Sequence, residues 1–430
     1  TRTEDTVVLR ISLISTPTLL SKPLHYEYGY IATPVKPRPK DPIIHQPSYF
    51  ATDKYPEFIQ RSCVAVNYHI LANINTPRYR HPQGGKALVK RIGNYGVPVV
   101  ADTYMSAAST TTPEYALFSP EWDVLPRDGW VVPTGRVRYA CQSTSHAQFY
   151  LDSARRMVEE MGLGGVYIDV SGPMANRNPY SGCGYIDDEG ERRPTVPLWA
   201  SRKVFQRLYT YLHTDGRNGI IYSHTTHDTC IGGYVDVVTE GENWGTEGKR
   251  QYTRLSPDMF RAGFMKTQLG TPFTFYIFHQ YSWRGNSYGT PVSLDEVLMI
   301  SLVHGVLVSI GDGVGMREIP PVWDLVSPFL AQADFLGYWR DECPVSTGSE
   351  ELLASAYLMP EGDTALIIVS NWAYKPGEGT LTLDWKKLGM TPATSSIVEP
   401  LEDNRSHPAA ATLELSLPAR DFRAFVITGR

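Results

Sequence analysis

Hydrophobic and polar residues follow two different rhythms along the chain from about residue 60 onward. Short runs rich in β-branched and aromatic residues, such as 63–68 and 164–170, are typical of buried strands. Longer segments with apolar residues at helical spacing, such as 145–161, follow these runs. Strands that alternate with helices are the arrangement that produces a parallel sheet.

The central part of the chain predicts eight strands. They cover residues 63–68, 97–104, 137–140, 164–170, 219–224, 234–239, 272–278 and 306–310. The helices between them cover residues 85–95, 145–161, 197–213, 256–268 and 293–304. This series matches an α/β fold of the (β/α)8 TIM-barrel type. An open doubly wound sheet is the alternative, but no G-x-G-x-x-G motif follows a predicted strand.

Both ends of the chain have a different, β-rich pattern. Two strand-like runs, 6–14 and 24–31, precede a proline-rich linker. Two strands alone are marginally stable in water, so we expect these to pack either on the main domain or on an N-terminal β-sandwich that is otherwise missing and of which residues 1–40 are the tail and linker. Further strand patterns cover residues 356–359, 364–370, 379–384 and 423–428. They predict a C-terminal antiparallel β-sandwich over 346–430, which leaves 41–345 for the catalytic barrel.

Composition excludes several classes of partner. The formal net charge is -5 and there is no basic patch, so nucleic acid is not an expected partner. No apolar run approaches the ~20 residues that a membrane span needs. The five cysteines contain no C-x-x-C pair, so neither a disulfide framework nor a zinc knuckle is indicated, and we expect no cofactor. The chain begins at Thr1, which indicates a removed leader or a fragment and is compatible with an extracellular or periplasmic protein.

Polar residues cluster where the predicted strands end. In a barrel of this type chemistry takes place at the carboxyl ends of the strands. A polar rim on an apolar barrel suits a hydroxylated ligand, and the aromatic content of 11% suits sugar stacking. The residues predicted to bind substrate are Tyr68, Asp102, Tyr104, Arg177, Asn178, His224, His227, Trp244, His279, Tyr281 and Asp312.

Two acids remote in sequence are the candidate catalytic pair. Cleavage of a glycosidic bond needs one carboxyl group that protonates the leaving oxygen and a second that attacks the anomeric carbon or activates water. Asp169 ends the fourth predicted strand and is assigned as nucleophile or as stabiliser of the oxocarbenium-like state. Glu242, with Glu240 as the alternative, follows the sixth strand and is assigned as acid/base. The sequence therefore predicts a glycoside hydrolase that acts on a polysaccharide or glycan.

Two other functions remain open from the sequence. His224 and His227 form an H-x-x-H pair that could bind zinc together with Asp169, as in a metal-dependent hydrolase. Histidines that hydrogen-bond sugar hydroxyls are the simpler interpretation, so no metal site is assigned. A non-catalytic carbohydrate-binding barrel would keep the aromatic residues and lose the acid pair.

Several motifs resemble a known family. They are 31–37 (IATPVKP), 165–173 (GVYIDVSGP), 182–185 (GCGY), 193–194 (RP) and the E-G-E triplet at 240–242. They resemble the glycoside-hydrolase-like barrels related to glycoside hydrolase family 123, the β-N-acetylgalactosaminidases. The resemblance implies a β-sandwich before the barrel and a small β domain after it. The family places adjacent Asp and Glu at a strand end, whereas here Val170 follows Asp169. A strand-four Asp with a strand-six acid is similar instead to the retaining α-glycosidase barrels.

Overall fold

The computed structural model describes residues 8–20, 23, 26–47, 55–132, 135–224, 229–241, 255–265, 267–275, 293–309 and 315–429. The chain divides into two compact units, Thr1–Ala32 and Thr33–Arg430. Among the described helices, none is both long and apolar enough to span a membrane.

The described residues of the first unit contain neither strand nor helix. The strands predicted over 6–14 and 24–31 are therefore not formed in the part of those segments that the structure describes. A strand needs a ladder partner, and the described residues of this unit supply none. Large side chains in it, including Leu9, Leu19 and Tyr30, are exposed. The N-terminal β-sandwich remains a prediction.

The second unit is built on a seven-stranded parallel sheet with the order β1-β2-β6-β9-β10-β11-β12. These strands are β1 (Ala65–Asn67), β2 (Val99–Tyr104), β6 (Gly165–Asp169), β9 (Ile220–His224), β10 (Val237–Glu240), β11 (Phe273–Phe275) and β12 (Leu307–Val308). Every neighbouring pair in this order runs parallel. The parallel sheet that the alternating pattern predicts is confirmed.

Helices alternate with these strands along the chain. They are α1 (Pro56–Gln60), α2 (Pro82–Gly93), α3 (Pro113–Trp122), α4 (His146–Glu159), α5 (Leu198–His213), α6 (Thr229–Gly232), α7 (Pro257–Phe264), α8 (Leu294–Leu302) and α9 (Gly315–Gln332). Helix α4 illustrates the packing: Tyr150, Ala154 and Met157 recur at helical spacing and are buried. They join the main hydrophobic core together with Val166 and Ile168 of the sheet.

The parallel sheet is strongly curled. The hydroxyl of Tyr222 on β9 lies 3.2 Å from Oγ of Ser309, which follows β12. Three strand spacings separate β9 from β12, about 14 Å on a flat sheet, so this contact requires the sheet to bend round on itself. Within the described residues β1 and β12 are its edges, and no ladder joins them. The observed architecture is a curled parallel half-barrel, and the closed eight-stranded barrel is not shown.

The prediction of residues 137–140 as the third barrel strand is wrong. Most of it forms β5 (Gly135–Tyr139), which lies between β3 (Ala107–Ser109) and β4 (Gly129–Val132) in a separate antiparallel sheet. The local hairpin accounts for the difference, since β4 supplies a partner only a few residues upstream. Gly129 permits this close pairing, because a Cβ at that position would lie 2.0 Å from the Val137 carbonyl oxygen.

The C-terminal part of the chain consists of antiparallel sheets, as the sequence predicts. One has six strands in the order β13-β15-β16-β21-β18-β19 and the other has three in the order β14-β17-β20. Their bounds are β13 (Asp334–Leu336), β14 (Val345–Ser346), β15 (Leu352–Leu358), β16 (Thr364–Asn371), β17 (Gly377–Leu383), β18 (Ser396–Glu399), β19 (Arg405–His407), β20 (Thr412–Leu417) and β21 (Phe422–Thr428). A short helix, α10 (Trp385–Leu388), follows β17, and a hairpin of β7 (Tyr185–Ile186) and β8 (Arg192–Arg193) lies in the loop after β6.

Strand β16 is buried on both faces, which explains its continuous apolar sequence. Ile367 and Val369 pack in the core of the C-terminal sheets. Leu366 and Ile368 pack in the main core with the helices. The hydroxyl of Ser370 donates to the carbonyl oxygen of Met299 in α8 at 2.9 Å, which joins this sheet to the helix layer.

Candidate active site at the carboxyl edge of the parallel sheet

Alternation along the strands determines which side chains face the concave side of the curled sheet. Tyr167, Tyr222 and Val237 are buried there in a small cluster of their own. The residues two positions further along the same strands, Asp169 and His224 among them, share this face and lie at its carboxyl edge. The fold thus brings predicted residues from separate strands to one side of the sheet.

Asp169 is the last residue of β6, and its carboxylate is held at one oxygen. Oδ1 accepts a hydrogen bond from the Val170 backbone N–H at 2.7 Å and lies 3.2 Å from Nδ1 of His224. Among the described residues, Oδ2 makes no hydrogen bond. The Asp169 side chain is 29% exposed, whereas the His224 side chain is only 3% exposed. The structure therefore presents one oriented carboxylate with an open oxygen toward the sheet edge.

The backbone immediately after Asp169 is strained. Val170 has φ 47°, in the left-handed region that β-branched residues avoid. Its N–H bonds the preceding carboxylate, and its carbonyl oxygen accepts from the backbone N–H of Ser106 at 3.3 Å. A strained turn held by neighbours is common where a side chain must be oriented for function.

Asp102 and Tyr104 lie on the neighbouring strand and on the same face. Tyr104 is paired with Asp169 in the register of β2 and β6, and Asp102 is paired with Tyr167. The Tyr104 hydroxyl donates to Oδ2 of Asp102 at 2.8 Å. Asp102 is 8% exposed. The predicted positions of Asp102, Tyr104, Asp169 and His224 are therefore adjacent.

Tyr68 completes this group from the end of β1. Its ring lies 5.8 Å from that of Tyr167 in an edge-to-face arrangement, and Tyr167 in turn stacks at 6.2 Å on His224. Both contacts run along the concave side of the sheet. Tyr68 is half-buried, which leaves part of its ring available.

Glu240 occupies a different face, which corrects its assignment as the alternative acid/base. In β10 it follows Thr239, whose register partner His224 lies on the concave side. Glu240 is paired with Phe275, which packs on Phe260 and Phe264 of the helix layer. Adjacent residues of a strand point to opposite faces, so Glu240 is directed toward the helices and away from Asp169.

Asn178 is a structural residue, which corrects its assignment to substrate binding. It is 1% exposed. Its Nδ2 donates to the carbonyl oxygens of Pro120 and Asp123, both at 2.8 Å, and its Oδ1 accepts from the Tyr180 backbone N–H. Because these bonds occupy both amide donors, Asn178 anchors the loop after β6. The neighbouring Arg177 is exposed, and its role stays a prediction.

Six predicted site residues lie outside the described residues. They are His227, Glu242, Trp244, His279, Tyr281 and Asp312. Within the part of the chain that is described, no group of three or more histidine, cysteine or acidic side chains could hold a metal ion.

Two aromatic residues of the site were missed in the sequence. Trp130 on β4 lies with its ring 5.4 Å from that of Tyr104 and 5.5 Å from that of Tyr139 on β5. Burial, followed by the negative charges of Asp128 and Asp169, raises the pKa of Tyr139. Tyr139 falls in the segment that the sequence predicts as a barrel strand, and Trp130 lies outside every predicted strand, so the sequence pattern singles out neither ring.

Solved structures similar to this chain include glycoside hydrolases of the TIM-barrel type. A noncanonic maltogenic α-amylase from Thermotoga neapolitana has 13% identity and a TM-score of 0.52, with 90% of this chain and 97% of that chain covered. A GH27 β-L-arabinopyranosidase from Geobacillus stearothermophilus has 12% identity and a TM-score of 0.54, with 89% and 95% covered. A GH36 α-galactosidase from the same organism has 11% identity and a TM-score of 0.54, with 90% and 54% covered. At such low sequence identity, these TM-scores show a similar fold and nothing more.

The family relationship comes from the C-terminal part of the chain. Residues 318–413 match the family model of the glycoside hydrolase 123 C-terminal domain, which covers most of α9 and the C-terminal strands up to β20. The predicted relationship to glycoside hydrolase family 123 is thereby confirmed in this region. No curated protein matches the chain in sequence. Family match and fold together support the predicted enzyme class, a glycosidase.

Proposed function

We propose that this protein is a glycoside hydrolase in which Asp169 acts directly on the anomeric carbon of the substrate. The observation that carries the proposal is the hydrogen bonding of this carboxylate. One oxygen is held by Val170 and His224, and the other is open toward the carboxyl edge of a curled parallel sheet. This edge is where enzymes of this architecture carry out chemistry.

The second carboxyl group in this proposal is Glu242, because Glu240 is directed toward the helix layer. In a retaining reaction Glu242 gives its proton to the glycosidic oxygen while Asp169 Oδ2 forms a bond to the anomeric carbon and the leaving alcohol departs. Water then displaces Asp169 from the glycosyl ester and returns a proton to Glu242. In an inverting reaction Glu242 protonates the leaving oxygen, while Asp169 takes a proton from the water molecule that attacks the anomeric carbon. The two routes differ in the anomer that is first released.

His224 serves as a positioning residue for Asp169. Its Nδ1, when protonated, donates to Oδ1 and fixes the carboxylate plane, so that Oδ2 meets the substrate in one orientation. The imidazole is buried and stacks on the ring of Tyr167, which restricts its motion. Asp102 lies beside this carboxylate as an acceptor for a sugar hydroxyl.

We also propose that the curled sheet is part of a closed barrel, with a carbohydrate as the partner and an extracellular or periplasmic location. The curl shown by Tyr222 and Ser309 and the barrel fold of the structural neighbours support closure. An experimental structure that lacks a ladder between the edge strands would contradict it.

The experiment is a screen of the full chain on 4-nitrophenyl α- and β-glycosides and on natural glycans, followed by Asp169→Asn and Glu242→Gln. We expect kcat on an active substrate to fall by at least about 10³-fold in each variant, because each removes a group that acts only in the transition state. The matched control is Asp215→Asn at an exposed turn, where Asp215 has φ 55° and asparagine is tolerated.

Unchanged turnover in Asp169→Asn would overturn the assignment of the nucleophile. Sugar binding without turnover of any glycoside would favour a non-catalytic carbohydrate-binding barrel. Loss of activity with EDTA and its return with zinc would favour a metal-dependent hydrolase.

A further inference from the structure

Three aromatic rings form a wall beside the site carboxylates. This aromatic wall consists of Tyr104 on β2, Trp130 on β4 and Tyr139 on β5, with Trp130 in the middle. Tyr104 is the register partner of Asp169 and donates to Asp102, so the wall adjoins both carboxylates. The antiparallel sheet of β3, β4 and β5 therefore supplies one side of the site.

All three rings are only half-buried, although each contacts a neighbour. Tyrosine and tryptophan that lose water access usually find a partner for their polar atom. Within the described residues, Trp130 Nε1 and the Tyr139 hydroxyl make no hydrogen bond. The wall thus offers apolar ring faces together with two hydrogen-bonding groups that the described protein atoms leave unused.

The charged side chains of described residues that adjoin the wall are acidic. Asp102 and Asp169 adjoin it, and Asp128 lies close enough to raise the pKa of Tyr139. The arginines of β5, Arg136 and Arg138, alternate with Tyr139 and therefore point to the other face of the hairpin. Carboxylates on this side disfavour a ligand that carries its own negative charge.

We propose that the aromatic wall binds the apolar face of an uncharged hexopyranoside, with Trp130 as the stacking platform. The inference rests on the proposed function and adds a substrate class to it. A pyranose ring presents C–H groups on one face and hydroxyls around its edge. Trp130 covers the C–H face, Nε1 and the Tyr139 hydroxyl bond the edge, and Asp102 accepts from a further hydroxyl.

The test measures binding separately from turnover. Saturation-transfer NMR is recorded with the methyl glycosides of glucose, galactose, mannose, N-acetylglucosamine and N-acetylgalactosamine, and with methyl glucuronide as the anionic comparison. We expect a signal from at least one neutral glycoside and none from glucuronide. Asp169→Asn keeps the binding signal while losing turnover, which separates a failure of this inference from a failure of the proposed function.

Trp130→Ala is the deciding variant, with Trp130→Phe as the conservative partner. On the active 4-nitrophenyl glycoside we expect Trp130→Ala to raise KM by at least about tenfold with a smaller change in kcat, and Trp130→Phe to remain within about threefold. The control is Tyr374→Ala, an exposed aromatic residue in the C-terminal region. Thermal unfolding of each variant tests whether it is folded. If Trp130→Ala is not folded, Trp130→Phe is the variant that decides.

Equal binding in wild type and a folded Trp130→Ala would overturn the proposal. So would preferential binding of glucuronide, or the absence of a signal from every neutral glycoside. If Trp130→Ala does not fold, a Trp130→Phe variant that loses all binding would contradict a role based on stacking, because phenylalanine retains an aromatic face.

Discussion

Nδ1 of His224 lies 3.2 Å from Oδ1 of Asp169, and the two residues end neighbouring parallel strands. The imidazole is nearly inaccessible, whereas the carboxylate is partly exposed. A buried donor that holds one oxygen of an exposed carboxylate is a positioning arrangement, since it fixes an orientation without covering the reactive atom.

His224→Phe should lower kcat by about 10- to 100-fold, because a hydrogen bond to a charged group contributes about 1.5–3 kcal/mol. Phenylalanine keeps an aromatic ring against Tyr167 and lacks both ring nitrogens. Steady-state kinetics on the active glycoside measure the effect. His407→Phe is a matched control, because His407 Nε2 lies 2.7 Å from Glu399 in the C-terminal sheet. Equal kcat in His224→Phe and wild type would contradict the positioning role.

The strained backbone at Val170 gives a second prediction. Val170→Gly should raise the free energy of unfolding by about 1 kcal/mol, because glycine adopts φ 47° without the Cβ clash. The same change should lower kcat, since a more mobile residue after Asp169 holds the carboxylate less firmly. Urea unfolding and kinetics measure the two effects.

The control for this variant is Asp403→Gly, which relieves φ 50° in an exposed turn of the C-terminal region. It should leave kcat unchanged. If Val170→Gly gains stability and keeps full activity, the strain has no part in positioning Asp169.

The hydrogen bond from Tyr104 to Asp102 gives a third prediction, on the binding of substrate by Asp102. Tyr104→Phe should raise KM by about three- to tenfold, because it removes the hydroxyl that orients Asp102 Oδ2 while the aromatic ring stays in place. Asp102→Asn should have the larger effect, since a carboxylate accepts more strongly from a sugar hydroxyl than an amide does. Kinetics on the active glycoside report both changes.

Tyr115→Phe is the matched control, because the Tyr115 hydroxyl donates to Oδ1 of Asp123 at 2.7 Å in a similar Tyr–Asp pair. Its KM should equal that of wild type. A larger KM effect in Tyr115→Phe than in Tyr104→Phe would assign these bonds to general stability.

The sequence predicted the parallel strands well because their side chains are buried on both faces. Segments such as 164–170 contain a continuous apolar run, and the position of Asp169 at its end follows directly. The prediction from sequence failed at 137–140, because this segment pairs with the upstream strand β4 in a hairpin. Strand pairing depends on two segments, so the pattern of one segment does not determine it. The prediction also missed the face of Glu240, since a strand's register with its neighbours decides which of two consecutive residues points inward.

Asn178 shows a further limit of reading the sequence alone. A polar residue in a long loop after a catalytic strand suits substrate binding. The same sequence pattern is expected when the residue instead anchors the loop through hydrogen bonds. The difference lies in the carbonyl oxygens of Pro120 and Asp123, which are more than fifty residues away. Trp130 was missed for the converse reason, because its importance arises from rings contributed by other strands.

Three buried histidines make the stability of the fold depend on pH. Burial lowers the pKa of His45 and of His304 to about 3 and that of His146 to about 4. The unfolded chain binds protons at these positions near pH 6.5, while the folded chain does not until much lower pH. The unfolded state therefore holds more protons between these values, and stability falls as pH decreases through this window.

Each such histidine contributes a slope of about 1.4 kcal/mol per pH unit between roughly pH 6 and 4. His146→Phe should remove one such contribution, because phenylalanine keeps an aromatic ring beside Trp122 and has no proton to bind. Urea unfolding at several pH values measures the slope. In the control residue His213, burial lowers the pKa, but the pairing with Asp236 outweighs it, so the pKa is raised. Its stabilising contribution is lost only above pH 6.5, so His213→Phe should leave the acid slope unchanged. An acid slope that is identical in His146→Phe and wild type would show that His146 does not remain neutral in the fold.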